Sequence, residues 1–171
     1  MMKFIAVSDN HSEAGILYDI YQKHKDADVF FHLGDSEFQY DDTELSLFQR
    51  VKGNMDFYPE FPESLVEQQK GYRIFYTHGH RYEVNQSRQQ LAEAAIAHQS
   101  MMALYGHTHV AKYEEINGVH VINPGSISQS RSEMEETYAE IVLEGSFGHV
   151  HFHNRNHERV KSVSFQLENR N

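Results

Sequence analysis

The sequence contains no cysteine, so disulfide bonds and thiolate metal sites are excluded. No apolar run approaches the roughly 20 residues that a membrane-spanning helix needs, and the apolar segment near Met1 is too short for a signal peptide. Positive charge is also scarce, since 15 Lys and Arg stand against 25 Asp and Glu, a formal net charge of -10. Tight binding to a nucleic-acid backbone needs clustered basic residues. We therefore predict a cytoplasmic protein with no membrane partner and no stable nucleic-acid partner.

The length and the apolar content fit one folded domain. The chain has 171 residues, of which 39% are hydrophobic, enough for a single substantial core. There is no internal repeat, linker or low-complexity segment. We predict one domain over residues 1–167, followed by a frayed C-terminus at 168–171.

Histidine is abundant, with 13 residues, and two of them stand in the segment Tyr105-Gly106-His107-Thr108-His109. This segment follows an apolar run, Met101–Leu104. Imidazole is the commonest metal-ligand side chain near neutral pH, and two histidines at i and i+2 of a strand end project to the same side. On this segment alone, two interpretations stay open: a pair of metal ligands, or a partly exposed strand end.

The other predicted strands favour the interpretation of His107 and His109 as metal ligands. Five apolar strand candidates are each followed by side chains able to bind metal. These side chains are Asp9 and His11, Asp35, Asn54, His78 and His80, and His107 and His109. In an open α/β sheet, ligands collect at the carboxyl ends of the strands, so we expect these groups to converge. Core packing does not explain them, because unpaired buried polar groups are costly.

Two helices are predicted between the strands. The first is capped by Ser12 and carries its apolar stripe at Leu17, Ile20, Tyr21 and His24. This helix connects two parallel strands in a right-handed crossover. The second runs from Gln86 to His98 after a cap at Asn85. The acidic segment 41–44 is interpreted as a solvated helix start.

The remaining strands are predicted from alternation and turn signals. Lys70-Gly71 and Asn117-Gly118 mark hairpin turns. The strands are expected at 64–69, 72–76, 110–116, 119–122, 137–143, 147–152 and 160–165. The alternation of His149, His151 and His153 predicts the polar face of a half-buried strand.

In chain order, the polar strand ends form one motif set: Asp9-x-His11, Gly34-Asp35, Gly53-Asn54, His78 and Gly106-His107-x-His109. This set resembles that of the calcineurin-like metallophosphoesterase superfamily. The small size, Gly53-Asn54-Met55-Asp56 and the loop Asn123-Pro124-Gly125-Ser126 resemble its small YfcE/YsnB-type phosphodiesterase branch. The resemblance implies an α/β sandwich, in which two mixed β-sheets are flanked by helices.

The resemblance also implies two divalent metal ions. It assigns one ion to Asp9, His11 and His109, the other to Asn54, His78 and His107, and the bridging position to Asp35. Ligands without sulfur suit Mn, which we expect, and are compatible with Fe, Zn, Ni or Mg. The implied activity is a phosphodiesterase that hydrolyses small phosphodiesters or nucleotides with a metal-activated hydroxide. Two alternatives stay open: a phosphomonoesterase, and an interaction scaffold such as the retromer subunit of this architecture.

The chain departs from the superfamily pattern at Met55, where many members have a histidine thought to protonate the leaving oxygen. Asn54 and His80 are the candidate catalytic residues, and His80 is interpreted as a proton donor, as a phosphate contact, or as a support for a ligand. Arg131 is interpreted either as a phosphate contact or as a surface or interface residue. The aromatic residues of the loop 57–62 line a substrate pocket, form the contact of a homo-oligomer, or simply pack.

Overall fold

The computed structural model describes residues 1–167, in which two β-sheets pack face to face and each outer face carries one helix. The predicted fold class is confirmed. The frayed C-terminus predicted at 168–171 lies outside the described residues. The elements in chain order are β1 (Met2–Val7), α1 (Ile16–Lys23), β2 (Val29–His32), a 3₁₀ turn (Leu45–Leu47), β3 (Gln49–Arg50), β4 (Ser64–Gln69), β5 (Tyr72–Thr77), α2 (Gln89–Ala97), β6 (Met102–Leu104), β7 (Lys112–Ile116), β8 (Val119–Asn123), β9 (Thr137–Glu144), β10 (Phe147–Asn154) and β11 (Arg159–Gln166).

Both sheets are mixed, and each has a parallel centre. The first has the order β11-β10-β9-β1-β2-β3, with β1, β2 and β3 parallel and the other pairs antiparallel. The second has the order β4-β5-β6-β8-β7, with β5, β6 and β8 parallel. Because parallel strands end at the same edge of their sheet, the loops after β1, β2 and β3 share one edge, and those after β5 and β6 share another.

The core explains why β1 is a continuous apolar run. Phe4 faces the second sheet in the main cluster, while Ile5 and Val7 face α1, so both surfaces of the strand are covered. Phe31 and Tyr76 pack across the sheets with ring centroids 4.7 Å apart. No helix within residues 1–167 is long and apolar enough to cross a membrane.

The predicted helix starts were wrong. Helix α1 begins after Gly15, and the carboxylate of Glu44, from the segment interpreted as a solvated helix start, accepts hydrogen bonds from the backbone N–H groups of Gly15 and Tyr18. A cap from a distant loop replaces the local cap predicted at Ser12. Helix α2 begins after Arg88 and not at Gln86, because residues 81–86 form turns.

The hairpin turns are confirmed, since all four turn residues have the positive φ that such turns need. One histidine of β10 departs from the prediction. His149 and His151 lie on the more exposed face, but a bulge at Phe152/His153 precedes His153, which is buried and stacks on Tyr138. The side chain of His153 therefore packs under α1 and does not belong to a polar face.

Candidate metal centre

Asp9, His11 and His109 bring three ligand atoms together beyond the ends of β1 and β6. The Nε2 atoms of His11 and His109 are 3.2 Å apart, and Asp9 Oδ1 lies 3.4 Å from His109 Nε2 and 3.8 Å from His11 Nε2. Atoms that each lie about 2.0–2.2 Å from one ion are separated by about 3–3.5 Å. Asp9 Oδ1 is buried and has no hydrogen-bond partner within residues 1–167. A buried acceptor left open in this way fits a cation.

A second group of ligand atoms adjoins the first. His78 Nε2 lies 3.0 Å from Asn54 Oδ1, 3.3 Å from Asp35 Oδ2 and 3.8 Å from Asp9 Oδ1. His107 Nδ1 lies 3.1 Å from the same Asn54 oxygen. All seven residues that the sequence nominated as ligands are therefore close together. Asp9 belongs to both candidate clusters, and the bridging role assigned to Asp35 stays a prediction.

The outward-facing ring nitrogens of three histidines are fixed by acceptors. His78 Nδ1 lies 2.7 Å from the carbonyl oxygen of Leu33, and His109 Nδ1 lies 2.7 Å from that of Gln129. His11 Nδ1 lies 2.9 Å from a carboxylate oxygen of Glu37. Each acceptor leaves the Nε2 atom as the ligand, which is how proteins orient metal-binding imidazoles. Sequence reasoning missed Glu37, because no local pattern connects it to a histidine 26 positions away.

The carboxylates are held just as firmly. Asp9 Oδ2 accepts hydrogen bonds from Ser8 Oγ at 2.6 Å and from the backbone N–H of His107 at 3.1 Å. Asp35 Oδ1 accepts the N–H of Met55 at 2.8 Å. The buried carboxylate of Asp56 accepts N–H groups from both the loop after β2 and the loop after β3. The loops that carry the ligands are thereby tied to one another.

The Asn-Pro-Gly-Ser loop supports the centre from behind. Asn123 Nδ2 donates a hydrogen bond to the carbonyl oxygen of Gly106 at 3.1 Å. Ser126 Oγ donates to the carbonyl oxygen of Asp9 at 2.8 Å. The loop therefore holds the backbone of two ligand segments without contributing a ligand itself.

Two glycines let the loops approach closely enough to form the centre. A Cβ atom at Gly53 would lie 2.0 Å from Asp35 Oδ1, and one at Gly106 would lie 2.1 Å from Ser8 Oγ. Backbone strain is concentrated here as well, because five ligand residues have positive φ: Asp9, His11, Asp35, His107 and His109. Strain of this kind persists only where the surrounding structure fixes it, and it is frequent at functional sites.

Electrostatics favour ionised carboxylates in the centre. Burial alone would raise the pKa of Asp9, but the contact of its carboxylate with His109 at 3.4 Å and the charge of His78 outweigh burial and hold the pKa well below its usual range. Burial disfavours the charged form of His78, yet its hydrogen bond with Asp35 and the charge of Asp9 raise the pKa of His78 to about 9. Burial lowers the pKa of His32 to about 4. His32 Nε2 lies 2.8 Å from Asn10 Oδ1, so this histidine orients the β1 loop and is not a ligand.

The remaining nominated residues surround the centre. His80 lies beside His78 and His107, with ring centroids 5.5 and 6.2 Å away, and its buried Nδ1 has no hydrogen-bond partner in the described chain. The backbone N–H of Arg131 donates to the carbonyl oxygen of His109 at 3.0 Å, while its side chain is exposed. Met55 is 41% exposed at the rim.

Comparison with known proteins agrees with this geometry. Residues 2–146 match the family model of the calcineurin-like phosphoesterase superfamily domain. The chain is 31% identical over 163 residues to the protein named probable metallophosphoesterase YsnB of Bacillus subtilis, an alignment that covers 95% of this chain and 96% of YsnB. A solved structure from Streptococcus pneumoniae, described as a predicted phosphoesterase, has a TM-score of 0.92 at 35% identity and covers 96% of this chain and 97% of its own.

A more distant solved structure shares only the fold. Vps29 of Entamoeba histolytica, solved in complex with zinc, has a TM-score of 0.76 at 18% identity, covering 98% of this chain and all of its own. The family match and the YsnB alignment both extend over the strands that carry the seven clustered side chains. The chain therefore belongs to the calcineurin-like phosphoesterase superfamily, a family of metallophosphoesterases.

Proposed function

We propose that this protein is a metal-dependent phosphodiesterase that hydrolyses small phosphodiesters or nucleotides. The observation that carries the proposal is the pair of adjoining ligand clusters that share Asp9, whose buried Oδ1 atom has no hydrogen-bond partner in the described chain. Two divalent ions bound there would supply Lewis acidity and lower the pKa of bound water. The donors are imidazole, carboxylate and amide groups, which suit Mn and are compatible with Fe, Zn, Ni or Mg.

In this proposal, Asp9, His11 and His109 would hold one ion, Asn54, His78 and His107 would hold the other, and Asp35 would serve both. The protein's part is to fix these side chains before substrate arrives. The hydrogen bonds from Ser8 and Met55 to the carboxylates support that role, as does the bond between His11 and Glu37. Preorganised ligands need no rearrangement during the reaction.

His80 is the proposed proton donor to the leaving oxygen. Methionine at position 55 cannot donate a proton, whereas the ring of His80 lies 6.2 Å from that of the nominated ligand His107 and has an Nδ1 that is unpartnered among the described residues. The side chain of Arg131 is the proposed phosphate contact, since its backbone already bonds to His109.

A diester carries one negative charge, whereas a monoester carries close to two at neutral pH. Two bound divalent ions would outweigh the charges of Asp9 and Asp35, so charge alone does not separate these two substrate classes. Phosphomonoesterase activity on the same site remains the second candidate. The third candidate is an interaction scaffold with little catalysis, and it is retained because Vps29 shares this fold.

The test is hydrolysis of bis-p-nitrophenyl phosphate by protein loaded with Mn, together with elemental analysis of the bound metal. We expect turnover that the double variant Asp35→Asn/His107→Ala reduces to background. His149→Ala, a change of a half-buried histidine on β10, is the matched control and should retain full activity. Equal turnover by the wild type and the double variant would favour the scaffold. A faster rate on p-nitrophenyl phosphate than on the diester would favour the monoesterase.

A further inference from the structure

A cleft opens between the loop that continues from Asp35 and the loop that continues from Asn54. Its volume is about 340 Å³, and it is lined by Gln39, Tyr40, Asp41, Tyr58 and Glu60. This volume falls in the lower part of the range of small-molecule sites, about 300–1,000 Å³. None of the lining residues belongs to the seven nominated ligands.

The cleft lies within reach of a substrate bound at the centre. The carboxylate of Asp56 joins the two loops at their roots through bonds to the N–H groups of Asp35, Glu37 and Gly53. Gln39 is four residues beyond Asp35, and Tyr58 is four residues beyond Asn54. Four residues span at most about 14 Å when fully extended. Gln39 and Tyr58 therefore each lie no more than about 14 Å from a nominated ligand, which sets the reach that a substrate needs to extend from the centre into the cleft.

The cleft offers aromatic surfaces to a planar group. The guanidinium carbon of Arg50 lies 4.0 Å from the centroid of the Tyr40 ring, and Phe61 meets that ring edge-on at 5.2 Å. Arg50 also donates a hydrogen bond to the carbonyl oxygen of Tyr40, so this wall is fixed. Tyr58 is 42% exposed, which leaves its ring surface open to a partner. Exposed aromatic rings of this kind stack on nucleobases.

The polar groups of the cleft are mainly acceptors. Asp41 and Glu60 supply carboxylates, and Gln39 supplies an amide. Arg50, which packs on the ring of Tyr40, donates hydrogen bonds to the carbonyl oxygens of Tyr40 and Phe48. An anionic group is therefore disfavoured, whereas a neutral planar group with N–H donors finds acceptors.

We propose that this cleft binds a nucleobase that carries an exocyclic amino group, as adenine, guanine and cytosine do, while the phosphate of the same nucleotide ester lies at the metal centre. The tyrosines stack on the base, and the carboxylates of Asp41 and Glu60 accept hydrogen bonds from its amino group. This inference rests on the proposed phosphodiesterase activity and names the substrate class.

The test compares three esters that share one leaving group: the 5′-(p-nitrophenyl phosphate) esters of cytidine and of uridine, and methyl p-nitrophenyl phosphate. We expect kcat/KM to be about tenfold higher for the cytidine ester than for the methyl ester. The cytidine ester should also exceed the uridine ester, because uracil presents a carbonyl oxygen where cytosine presents the amino group.

Two variants locate the effect. Tyr58→Ala should bring the ratio of the cytidine ester to the methyl ester close to one, and Asp41→Asn combined with Glu60→Gln should remove the preference for cytidine over uridine. Tyr18→Ala, which changes a tyrosine of similar exposure on α1, is the matched control and should alter neither ratio. Equal kcat/KM values for the three esters in the wild type, or equal losses on all esters in Tyr58→Ala, would overturn the proposal.

Binding of the nucleoside alone keeps this proposal separate from the proposed activity. In ligand-observed NMR, cytidine should contact the wild-type protein more than uridine does, and Tyr58→Ala should lose that contact. If no ester is hydrolysed but cytidine binds in this way, the activity proposal fails and the cleft assignment stands. If the esters are hydrolysed without base preference and cytidine shows no contact, the cleft assignment fails and the activity stands.

Discussion

The carboxylate of Glu140, on β9 under the end of α1, gives a quantitative prediction about acid stability. Its oxygens lie 3.0 Å from Lys3 Nζ, 3.3 Å from His153 Nε2 and 3.7 Å from His24 Nδ1, and its side chain is 10% exposed. The hydrogen bond from His153 and that from Lys3 outweigh burial and lower the pKa of Glu140 to about 2, from an ordinary value of 4.5.

The lowered pKa fixes the sign and the size of the effect. A carboxyl whose pKa is lower in the folded chain than in the unfolded chain stabilises the fold above the unfolded pKa and loses that stabilisation as the pH falls toward the folded pKa. The difference between 4.5 and about 2 corresponds to about 3 kcal/mol at neutral pH. About 2 kcal/mol of this should disappear between pH 6 and pH 3.

The measurement is urea unfolding, followed by circular dichroism from pH 6 to pH 3, of the wild type and Glu140→Gln. A chelator in all samples excludes metal binding. The difference in the free energy of unfolding between the two proteins should narrow by about 2 kcal/mol as the pH falls. Glu144→Gln, a change of an exposed carboxylate at the end of the same strand, is the control and should follow the wild type. A difference that stays constant over this pH range would refute the reasoning.

Three further predictions concern the centre. Glu37→Gln removes the charged acceptor of His11 Nδ1 and should weaken metal affinity about 10- to 100-fold, measured by competition with a chromophoric chelator; unchanged affinity would contradict that role. Gly106→Ala places a Cβ 2.8 Å from Asp9 Oδ2 and 2.1 Å from Ser8 Oγ. The free energy of unfolding in urea should fall by about 1–3 kcal/mol, and the metal content measured by elemental analysis should fall too. A wild-type metal content would contradict the close fit. Met55→His adds a second proton donor at the rim and should raise kcat on alkyl diesters more than on p-nitrophenyl diesters. Equal changes on both substrates would contradict a donor role at this position.

Local signals in the sequence predicted the strands well. Apolar runs and alternation located the strands of both sheets, and Lys70-Gly71 and Asn117-Gly118 identified hairpins whose turn residues have positive φ. Helix starts were predicted poorly. The residue that caps α1 is Glu44, which lies 29 positions after Gly15, and local capping rules cannot find such a partner.

The sequence predicted which residues form the candidate site, but it did not predict the contacts that hold those residues in place. Ligand types recur after each apolar strand, so Asp9, Asp35 and His78 could be nominated from the sequence. The supporting contacts are different in kind, because the Leu33 and Gln129 acceptors are backbone carbonyl groups that carry no residue signature. The position of a carbonyl group depends on the assembled sheets, so no sequence pattern identifies it.

The division of the ligands between the sheets has a consequence for the lifetime of the fold. Asp9, His11, Asp35 and Asn54 follow strands of the first sheet, while His78, His107 and His109 follow strands of the second. An ion held by both groups would link the two sheets. This link would form only after the sheets have docked. Saturation at 100 times the dissociation constant would then add about 2.7 kcal/mol to the free energy of unfolding. Contacts that form after the folding transition state slow unfolding and leave the folding rate unchanged. The metal concentration would therefore control the unfolding rate of the protein and not its folding rate.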